Sequence, residues 1–198
     1  MTIHYTHNDR PTDGVEMELN IVDPSSGALV SAATDLLADL GAGHPRGEHP
    51  KAKHELFQST IEVITDVCES PADAARDLHH SIAELRSACD RRGLGLISTG
   101  THPFSLAREQ HVSPDQRYHD LIDAMQWPAR RLLICGLHVH VGVSDGARAI
   151  AIINELRRYL PLFLALSSSS PYFEGEDSGL ASARSKVFES LPTAGLPP

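Results

Sequence analysis

Acidic and imidazole side chains occupy alternate positions in two segments that are otherwise apolar, residues 14–22 and residues 135–143. The polar members of these segments are Glu16, Glu18, Asn20, His138 and His140. Because successive side chains of a strand point to opposite faces, each segment places its polar groups on one face of a sheet. Neighbouring carboxylates repel each other unless a cation or a proton separates them. A metal-dependent site is therefore the leading hypothesis.

The composition excludes several classes of partner. The chain has 198 residues and 41% hydrophobic content, which is enough for one domain with its own core. Its 26 acidic and 17 basic residues give a net charge of -9, which disfavours nucleic acid and anionic membrane surfaces. No apolar run approaches the roughly 18 residues of a membrane span, and the N-terminus lacks a signal-like region. We therefore expect a cytoplasmic protein with neither nucleic-acid nor membrane partners.

Local patterns predict an opening hairpin and a second strand rich in acidic groups. A turn at 24–27 precedes a short returning strand at 28–30, and a helix is expected near 34–40. The segment 41–50 is rich in Gly, Pro and His and is typical of an irregular loop. Apolar alternation then predicts a single strand over 54–65, which carries Glu55 and Glu62.

The clearest helix begins after Ser70, an N-cap residue followed by Pro71 and Asp73, and ends before Gly93. The remaining predicted elements are a strand over 94–101, a helix over 115–125, the histidine strand from about Leu132, helices after Asp145 and from Pro161, and a last helix over 179–191. Strands separated by hairpins and long helices indicate an α+β fold. We expect a largely antiparallel sheet with helices covering one face and polar side chains on the other.

The chemistry of the polar face follows from its ligand types. Glu16, Glu18, Glu55 and Glu62 offer carboxylate oxygens, which suit Mg²⁺ or Mn²⁺ rather than zinc. A histidine beside such a cluster can complete a manganese site or donate to a phosphate oxygen, and Arg184 can neutralise charge on a transferring phosphoryl group. The set favours phosphoryl transfer over hydrolysis. No glycine-rich loop with lysine is present, so any ATP would be held by metals on the sheet.

At these residues the chain resembles the type 2 glutamate-cysteine ligase family, whose members are ATP-dependent carboxylate-amine ligases. The motifs that carry the resemblance, in the same order as in the family, are 14–19 (GVEMEL), 55–63 (ELFQSTIEV), 100–104 (GTHPF), 136–143 (GLHVHVGV), 168–175 (SSSPYFEG) and 183–185 (ARS). The resemblance implies a fold related to that of glutamine synthetase, with an antiparallel sheet curved around a metal and nucleotide funnel.

The resemblance also implies substrates and residue roles. The γ-phosphoryl group of ATP passes to a carboxylate such as the glutamate side chain, and cysteine or another amine then attacks the acyl phosphate. The family is known for weak activity of this kind. By similarity, Glu16, Glu18 and Glu62 are ligands for Mg²⁺ or Mn²⁺, and Glu55 is a further ligand near the nucleotide. His138 contacts the metal or phosphate, and Arg184 steadies the charge of the acyl phosphate.

The sequence ends where the family continues with a second half of comparable size. Residues 1–198 are thus expected to form a single domain, the N-terminal part of the catalytic domain, without the C-terminal half. A half sheet with an exposed apolar face predicts homodimerisation, aggregation or marginal stability. One alternative is a catalytically incomplete fragment or binding module. A metal-dependent hydrolase is less favoured, because His138 and His140 form a strand pair without further His and Asp ligands.

Overall fold

A five-stranded antiparallel sheet lies at the centre of the computed structural model, which describes residues 5–192 and 194–195. Its strands are β1 (Asp13–Val22), β2 (Ala52–His54), β3 (Thr60–Ile64), β4 (Gly95–Ile97) and β5 (Leu137–Val141). The strand order is β2-β3-β1-β4, and β5 pairs with the first half of β1 on the same side as β4. Two short strands, β6 (Tyr172–Phe173) and β7 (Glu176–Asp177), form a separate hairpin. The predicted α+β class with an antiparallel sheet is confirmed.

Helices surround this sheet within the described residues. They are α1 (Ala33–Gly41), α2 (Pro71–Arg91), α3 (Gln116–Met125), α4 (Trp127–Arg130), α5 (Gly146–Leu156), α6 (Leu160–Ser167) and α7 (Ala183–Glu189). The predicted cap of α2 is present, because the Ser70 hydroxyl accepts the N–H of Asp73 at 3.2 Å and Pro71 occupies the first helical position. Helix α3 begins after Asp115, and α1 lies where it was predicted.

The apolar face of the sheet packs against α1 and α2. Strands β1 and β3 contribute Leu19, Ile21, Ile61 and Val63, and the helices contribute Leu36, Leu85, Ala88 and Cys89, all 4% exposed or less. A second buried cluster lies under α3 and contains Leu56, Phe57, Ala107, Tyr118 and Leu133. The core therefore occupies one side of the sheet, and the other side is left for polar groups as the alternation predicts.

Strand β1 brings the two polar segments of the sequence side by side. Its register pairs Glu16 with His138 of β5 and Glu18 with Glu62 of β3. Cross-strand partners point to the same face, so these carboxylates and the histidine share the polar face of the sheet. The central position of β1 explains why residues so distant in sequence meet here.

The single strand predicted over 54–65 is wrong. The chain instead forms β2 and β3, with a turn between them that contains Glu55. The apolar side chains of Leu56 and Phe57 are the reason, because they leave the strand to enter the second buried cluster, where Phe57 bridges to Val112. Glu55 is therefore positioned by a turn rather than by a strand.

Several other predicted boundaries also differ. The returning strand at 28–30 is reduced to one bridge between Val22 and Leu29, and the strand predicted over 94–101 is limited to β4. The histidine strand begins at Leu137 rather than near Leu132, because the chain before it crosses to Gly100 and Thr101. The last helix begins only at Ala183, after Ser182 as its cap.

Strand β5 and helices α5 and α6 expose an apolar surface. The outward side chains of β5, Leu137, Val139 and Val141, are 62–64% exposed, and no residue of α5 or α6 is buried. The apolar face expected from the sequence is therefore present. Among the described residues, no helix is both long enough and apolar enough to cross a membrane.

Candidate functional site

Three glutamates converge on the polar face of the sheet. Glu18 of β1, Glu62 of β3 and Glu55 of the turn between β2 and β3 each offer one carboxylate oxygen, and these oxygens lie within 4.8 Å of one another. We call this set the acidic cluster. The structure thus brings together three of the four glutamates singled out from the sequence, two of them by strand register and one by a turn that local pattern did not predict.

Burial and mutual repulsion disfavour the ionised carboxylates of the acidic cluster. Burial raises the pKa of Glu18 to about 7, and the nearby charge of Glu55 acts in the same direction, although the N–H of Gly136 partly opposes them. Burial also raises the pKa of Glu62, with further contributions from the charges of Glu16 and Glu55. Carboxylates whose pKa rises in this way are stabilised by a proton or a cation.

These residues fit a hard divalent cation. All the donor atoms are carboxylate oxygens, which Mg²⁺ and Mn²⁺ accept and which zinc sites rarely use alone. The raised pKa of Glu18 and the mutual repulsion of the cluster show negative charge that the protein itself does not fully compensate. The cluster can therefore hold Mg²⁺ or Mn²⁺.

Glu16 lies beside the cluster but contacts the histidines of β5. Its Oε2 atom is 3.2 Å from Nδ1 of His138 and 3.1 Å from Nε2 of His140. Burial tends to raise the pKa of Glu16, but the hydrogen bonds and charges of His140 and His138 outweigh it, so the net shift is downward. The structure therefore places Glu16 in a neighbouring Glu–His group rather than among the three converging oxygens.

Gly136 is the point at which the cluster, His138 and Arg184 meet. A Cβ atom built on Gly136 would lie 3.1 Å from Nε2 of His138, 3.3 Å from Nη2 of Arg184 and 3.3 Å from Oε1 of Glu18. These three side chains come from β5, α7 and β1. The absence of a side chain at Gly136 is what allows them to approach one another so closely.

Arg184 is held by backbone and aromatic contacts. Its Nε atom donates to the carbonyl oxygen of Cys135 at 2.6 Å, and its backbone N–H donates to the hydroxyl of buried Ser170 at 3.3 Å. Its guanidinium lies 5.8 Å from the centre of the Phe188 ring. With Nε engaged, the terminal nitrogens are directed toward Gly136 and the acidic cluster.

A cavity of about 540 Å³ opens beside Arg184. Its wall includes Glu18, His138 and Arg184, together with apolar groups such as Phe188. Hydroxyl-bearing residues from three segments complete it: the loop after β4, the end of α6 with the residues that follow, and the start of α7. They are Ser98, Thr99, Ser167, Ser169, Ser182 and Ser185. Sequence reasoning did not assign Thr99 or Ser182 to a site, and the only signal was their closeness to the GTHPF and ARS motifs.

The fold and the site together define an α+β protein whose antiparallel sheet carries a cluster of carboxylate oxygens next to an arginine and a histidine. The sequence comparison is specific about the family. The glutamate-cysteine ligase family 2 matches residues 12–198, and the chain belongs to this family. The resemblance identified from the six motifs is thereby confirmed.

Relatives align with the whole of this chain. A protein of Thermobifida fusca named "Putative glutamate--cysteine ligase 2" is 50% identical over 198 residues, covering 100% of this chain and 50% of the relative. A protein of the same name from Gloeobacter violaceus is 46% identical over 201 residues, covering 100% of this chain and 52% of the relative. The chain thus spans about half the length of the curated relatives it matches.

A solved structure shares the fold. The crystal structure of a glutamate–cysteine ligase from Francisella tularensis in complex with AMP aligns with a TM-score of 0.52 at 14% identity, covering 77% of this chain and 30% of that one. At this level of identity the likeness concerns the fold alone. It agrees with the antiparallel sheet and flanking helices described above.

Proposed function

We propose that this chain carries the metal site and part of the substrate site of an ATP-dependent carboxylate-amine ligase with weak glutamate-cysteine ligase activity. The observation that carries the proposal is the convergence of the Glu18, Glu55 and Glu62 oxygens within 4.8 Å, next to the point where His138 and Arg184 meet Gly136. Family membership supports the class of reaction. The arrangement places cation ligands and an anion-binding arginine on the same surface.

In this proposal the acidic cluster holds Mg²⁺ or Mn²⁺, and Glu16 is a further ligand from the neighbouring Glu–His group. When bound, the cation neutralises charge on the phosphates of ATP. Glu18 and Glu62, whose pKa values are raised by burial and by neighbouring carboxylates, would hold the cation in place of protons, and the cation would neutralise the charge that they bring together.

The proposed reaction has two steps. A carboxylate oxygen of glutamate, or of a similar acid, attacks the γ-phosphorus of ATP, and ADP leaves. The nitrogen of cysteine or another amine then attacks the acyl carbon, inorganic phosphate leaves, and the nitrogen loses a proton to give a γ-glutamyl amide. Arg184 is proposed to neutralise charge on the transferred phosphoryl group, and His138 to donate a hydrogen bond to a phosphate oxygen.

The hydroxyl-lined cavity is the proposed place for the acceptor or the carboxylate substrate. It adjoins Arg184 on one side and Glu18 on the other, so a substrate carboxylate there would lie between the arginine and the cation ligands. The Francisella ligase binds AMP, which supports a nucleotide as the second substrate. We further propose that the protein acts in the cytoplasm, where ATP, glutamate and cysteine are available.

Residues 1–198 are proposed to be a single domain that forms the N-terminal part of the catalytic domain, since this chain covers 50% of the Thermobifida relative. The activity of a whole ligase is thus also a proposal for this chain. The described part of the chain groups only carboxylates as candidate metal ligands, an all-oxygen set that gives no support to a zinc-type hydrolase.

The proposal is tested by measuring ADP release with Mg²⁺, ATP, glutamate and an amine, using cysteine first and then other amines. We expect ADP release that depends on the amine, and its loss in Glu62→Gln and in Arg184→Gln. Glu109→Gln, which changes an exposed glutamate away from the site, is the matched control and should match the parent.

Two results would count against the proposal. ADP release that is independent of the amine would indicate a nucleotide hydrolase. Absence of ADP from this chain, together with amine-dependent ADP from the full-length Thermobifida relative, would indicate that this chain is a catalytically incomplete fragment. Retained binding of ATP with Mg²⁺ in the second case would identify a binding module.

A further inference from the structure

Thr99 lies in the wall of the hydroxyl-lined cavity and contacts the buried side chain of Asn20. Asn20 belongs to β1, shares the polar face of the sheet with Glu18, and is 2% exposed. The Thr99 hydroxyl donates to Oδ1 of Asn20 at 3.0 Å. The amide nitrogen of Asn20 donates in turn to the hydroxyl of buried Thr60 at 3.1 Å. The buried amide thus has a partner at each end, and one of these partners lies in the cavity wall.

The direction of the hydrogen bond between Thr99 and Asn20 decides what Thr99 can offer to a ligand. A threonine hydroxyl has one proton and two lone pairs, whereas an amide oxygen can only accept. The single hydroxyl proton of Thr99 is therefore committed to Asn20. The hydroxyl oxygen keeps the capacity to accept a hydrogen bond from a second partner. Thr99 thus presents a neutral acceptor to the cavity.

The loop that carries Thr99 is also fixed on its other side. The carbonyl oxygen of Gly100 accepts the N–H of Cys135 at 3.0 Å, and the hydroxyl of buried Thr101 donates to the carbonyl oxygen of Tyr172 at 2.7 Å. These contacts attach the loop to the segment before β5 and to β6. Because the loop cannot move without breaking them, the acceptor at Thr99 is pre-organised, which reduces the entropy lost on binding.

The other hydroxyls of the wall have less fixed orientations. Ser167 and Ser169 donate to backbone carbonyl oxygens of their own segment, but both residues are exposed. The hydroxyls of Ser182 and Ser185 lie 2.9 Å apart, and either can be the donor. These groups can rotate so that they donate to a ligand or accept from it. Thr99 differs from them because its partner is a buried amide oxygen.

An arginine lies close to this acceptor. A Cβ atom built on Gly100, the residue after Thr99, would lie 3.6 Å from Cδ of Arg184. Arg184 lines the same cavity, and its guanidinium attracts a carboxylate. The cavity therefore offers a cation for a carboxylate and a neutral acceptor for an N–H group. An amino acid carries both of these groups, whereas a simple carboxylic acid carries only the carboxylate.

We propose that Thr99, oriented by Asn20, determines specificity for an amino-acid substrate by accepting a hydrogen bond from its amino group. Asn20 is a positioning residue, since it acts through Thr99. The inference rests on the proposed function, because it concerns the substrates of the same cavity. The amino group belongs either to the carboxylate substrate, such as glutamate, or to the acceptor, such as cysteine. Both carry N–H donors, so the chemistry at Thr99 is the same.

The test is calorimetric titration in Mg²⁺ with two pairs of probes. Glutamate is compared with glutarate, and cysteine with 3-mercaptopropionate, because the second compound of each pair lacks only the amino group. We expect the parent to bind the amino acid of one pair more tightly than its deaminated partner. Thr99→Val keeps the shape of the side chain without the hydroxyl. It should reduce that preference about tenfold, the loss expected for one hydrogen bond to a charged group.

Two further variants are controls. Thr99→Ser keeps the hydroxyl and should keep the preference of the parent. Thr34→Val removes the hydroxyl of an exposed threonine of α1, outside the wall of this cavity, and should also leave the preference unchanged. The deaminated probe should bind Thr99→Val and the parent with equal affinity, since it does not use the hydroxyl. Because the preference is compared between proteins, the difference in charge within a pair of probes cancels.

A second measurement uses the parent alone and does not depend on the folding of a variant. Trimethylation of the amino group keeps its positive charge and removes every N–H donor. The parent should bind the trimethylated form of the preferred amino acid more weakly than the free form, by about tenfold or more. Equal affinity for the two forms overturns the proposal.

The pair in which Thr99→Val loses the preference identifies the source of the amino group. The glutamate pair assigns it to the carboxylate substrate, and the cysteine pair assigns it to the acceptor. A preference that Thr99→Val retains in full, or a parent without a preference in either pair, overturns the proposal. The titrations contain no ATP and do not depend on ADP release. Absence of ADP release with an intact amino-acid preference therefore counts against the ligase alone, and ADP release without this preference counts against the role of Thr99 alone.

Discussion

Glu18 and Gly136 are joined by two hydrogen bonds across the sheet. The backbone N–H of Glu18 donates to the carbonyl oxygen of Gly136 at 3.0 Å, and the N–H of Gly136 donates to a carboxylate oxygen of Glu18 at 2.8 Å. The backbone of one strand thus orients a side chain of the other. This pairing fixes the position of one member of the acidic cluster.

Gly136→Ala tests whether this close approach matters. The new methyl group would press on Nε2 of His138, Nη2 of Arg184 and Oε1 of Glu18, all at 3.1–3.3 Å. We expect stability to change little, because these side-chain ends can move apart. We expect Mg²⁺ binding, measured by calorimetry, to weaken by about tenfold, the cost of roughly one misplaced charged contact.

Gly14→Ala is the control for this substitution. Gly14 lies on the same strand as Glu18, and a Cβ atom there meets nothing closer than the Thr65 hydroxyl at 3.8 Å. This variant should bind Mg²⁺ as the parent does. Equal weakening in both variants would show that added bulk on β1 or β5 disturbs the sheet generally and that Gly136 has no special role.

Glu18→Gln should make the metal-free protein more stable at pH 8 than the parent. The pKa of Glu18 rises from 4.5 in the unfolded chain to about 7 in the folded protein, so between these values the folded state holds more protons. Glu18 therefore makes its full contribution to the free energy of unfolding below pH 4.5. That contribution is lost as the pH rises through 7, and the loss is about 3 kcal/mol at most. Glutamine keeps the shape and cannot ionise.

The measurement is urea unfolding in EDTA at pH 5 and pH 8. The parent should lose more stability between these two pH values than Glu18→Gln does, and the exposed-site control Glu109→Gln should follow the parent. Adding Mg²⁺ at pH 8 should stabilise the parent and not Glu18→Gln. A parent and variant with the same pH dependence would show that Glu18 ionises normally.

Local sequence patterns were sufficient to predict which residues lie on the polar face of the sheet. The period of two along β1 sets the face of Glu16 and Glu18 without knowledge of the rest of the fold. The start of α2 was equally readable, because Ser70 caps the helix through a contact three residues away. Such features depend on neighbours in sequence, which a single chain displays directly.

The parts of the site that the sequence did not predict depend on packing between residues far apart in the chain. Glu55 joins the acidic cluster because Leu56 and Phe57 pack under α3, and that packing involves residues far along the chain. The meeting of Arg184 with Glu18 depends on where α7 returns to the sheet. A cavity of about 860 Å³ at the β2 edge of the sheet is likewise formed by three separated segments, 34–38, 44–54 and 115–117. Patterns within one segment carry no information about these encounters.

His102 should make the protein sensitive to mild acid. It is 2% exposed, its Nδ1 accepts the N–H of Ser105 at 3.0 Å, and its Nε2–H donates to the Gly27 carbonyl at 2.9 Å. Burial lowers the pKa of His102 below 6.5, although the Gly27 contact opposes this shift. Below pH 6.5 this histidine binds a proton more readily in the unfolded chain than in the folded state, so the free energy of unfolding falls as the pH falls.

This effect is measured as the free energy of unfolding at pH 8 and pH 5.5. His102→Gln should be less stable than the parent at pH 8, because it loses a buried contact, and should lose less stability on acidification. His79→Gln, which changes an exposed histidine of α2, serves as the reference and should keep the parent's pH dependence. If His102→Gln loses as much stability as the parent between pH 8 and pH 5.5, the acid sensitivity arises from other groups.

The expected homodimer remains a prediction, and the exposed apolar strand offers a way to check it. Replacing Leu137, Val139 and Val141 by threonine keeps high strand propensity while removing apolar surface that is 62–64% exposed. We expect the parent to self-associate in light scattering and the triple variant to be smaller in mass, with unchanged circular dichroism. A monomeric parent, or equal masses in both proteins, would contradict the prediction.

Leu85→Ala and Val139→Ala should separate the two sides of the sheet energetically. Leu85 of α2 is fully buried against β1 and β3, so its truncation leaves a cavity and should cost about 2–5 kcal/mol. Val139 is 62% exposed, so its truncation should cost less than about 0.5 kcal/mol. Urea unfolding at low protein concentration measures both. A large loss in Val139→Ala would mean that the face of β5 is covered in solution, because an exposed valine contributes little to stability on its own.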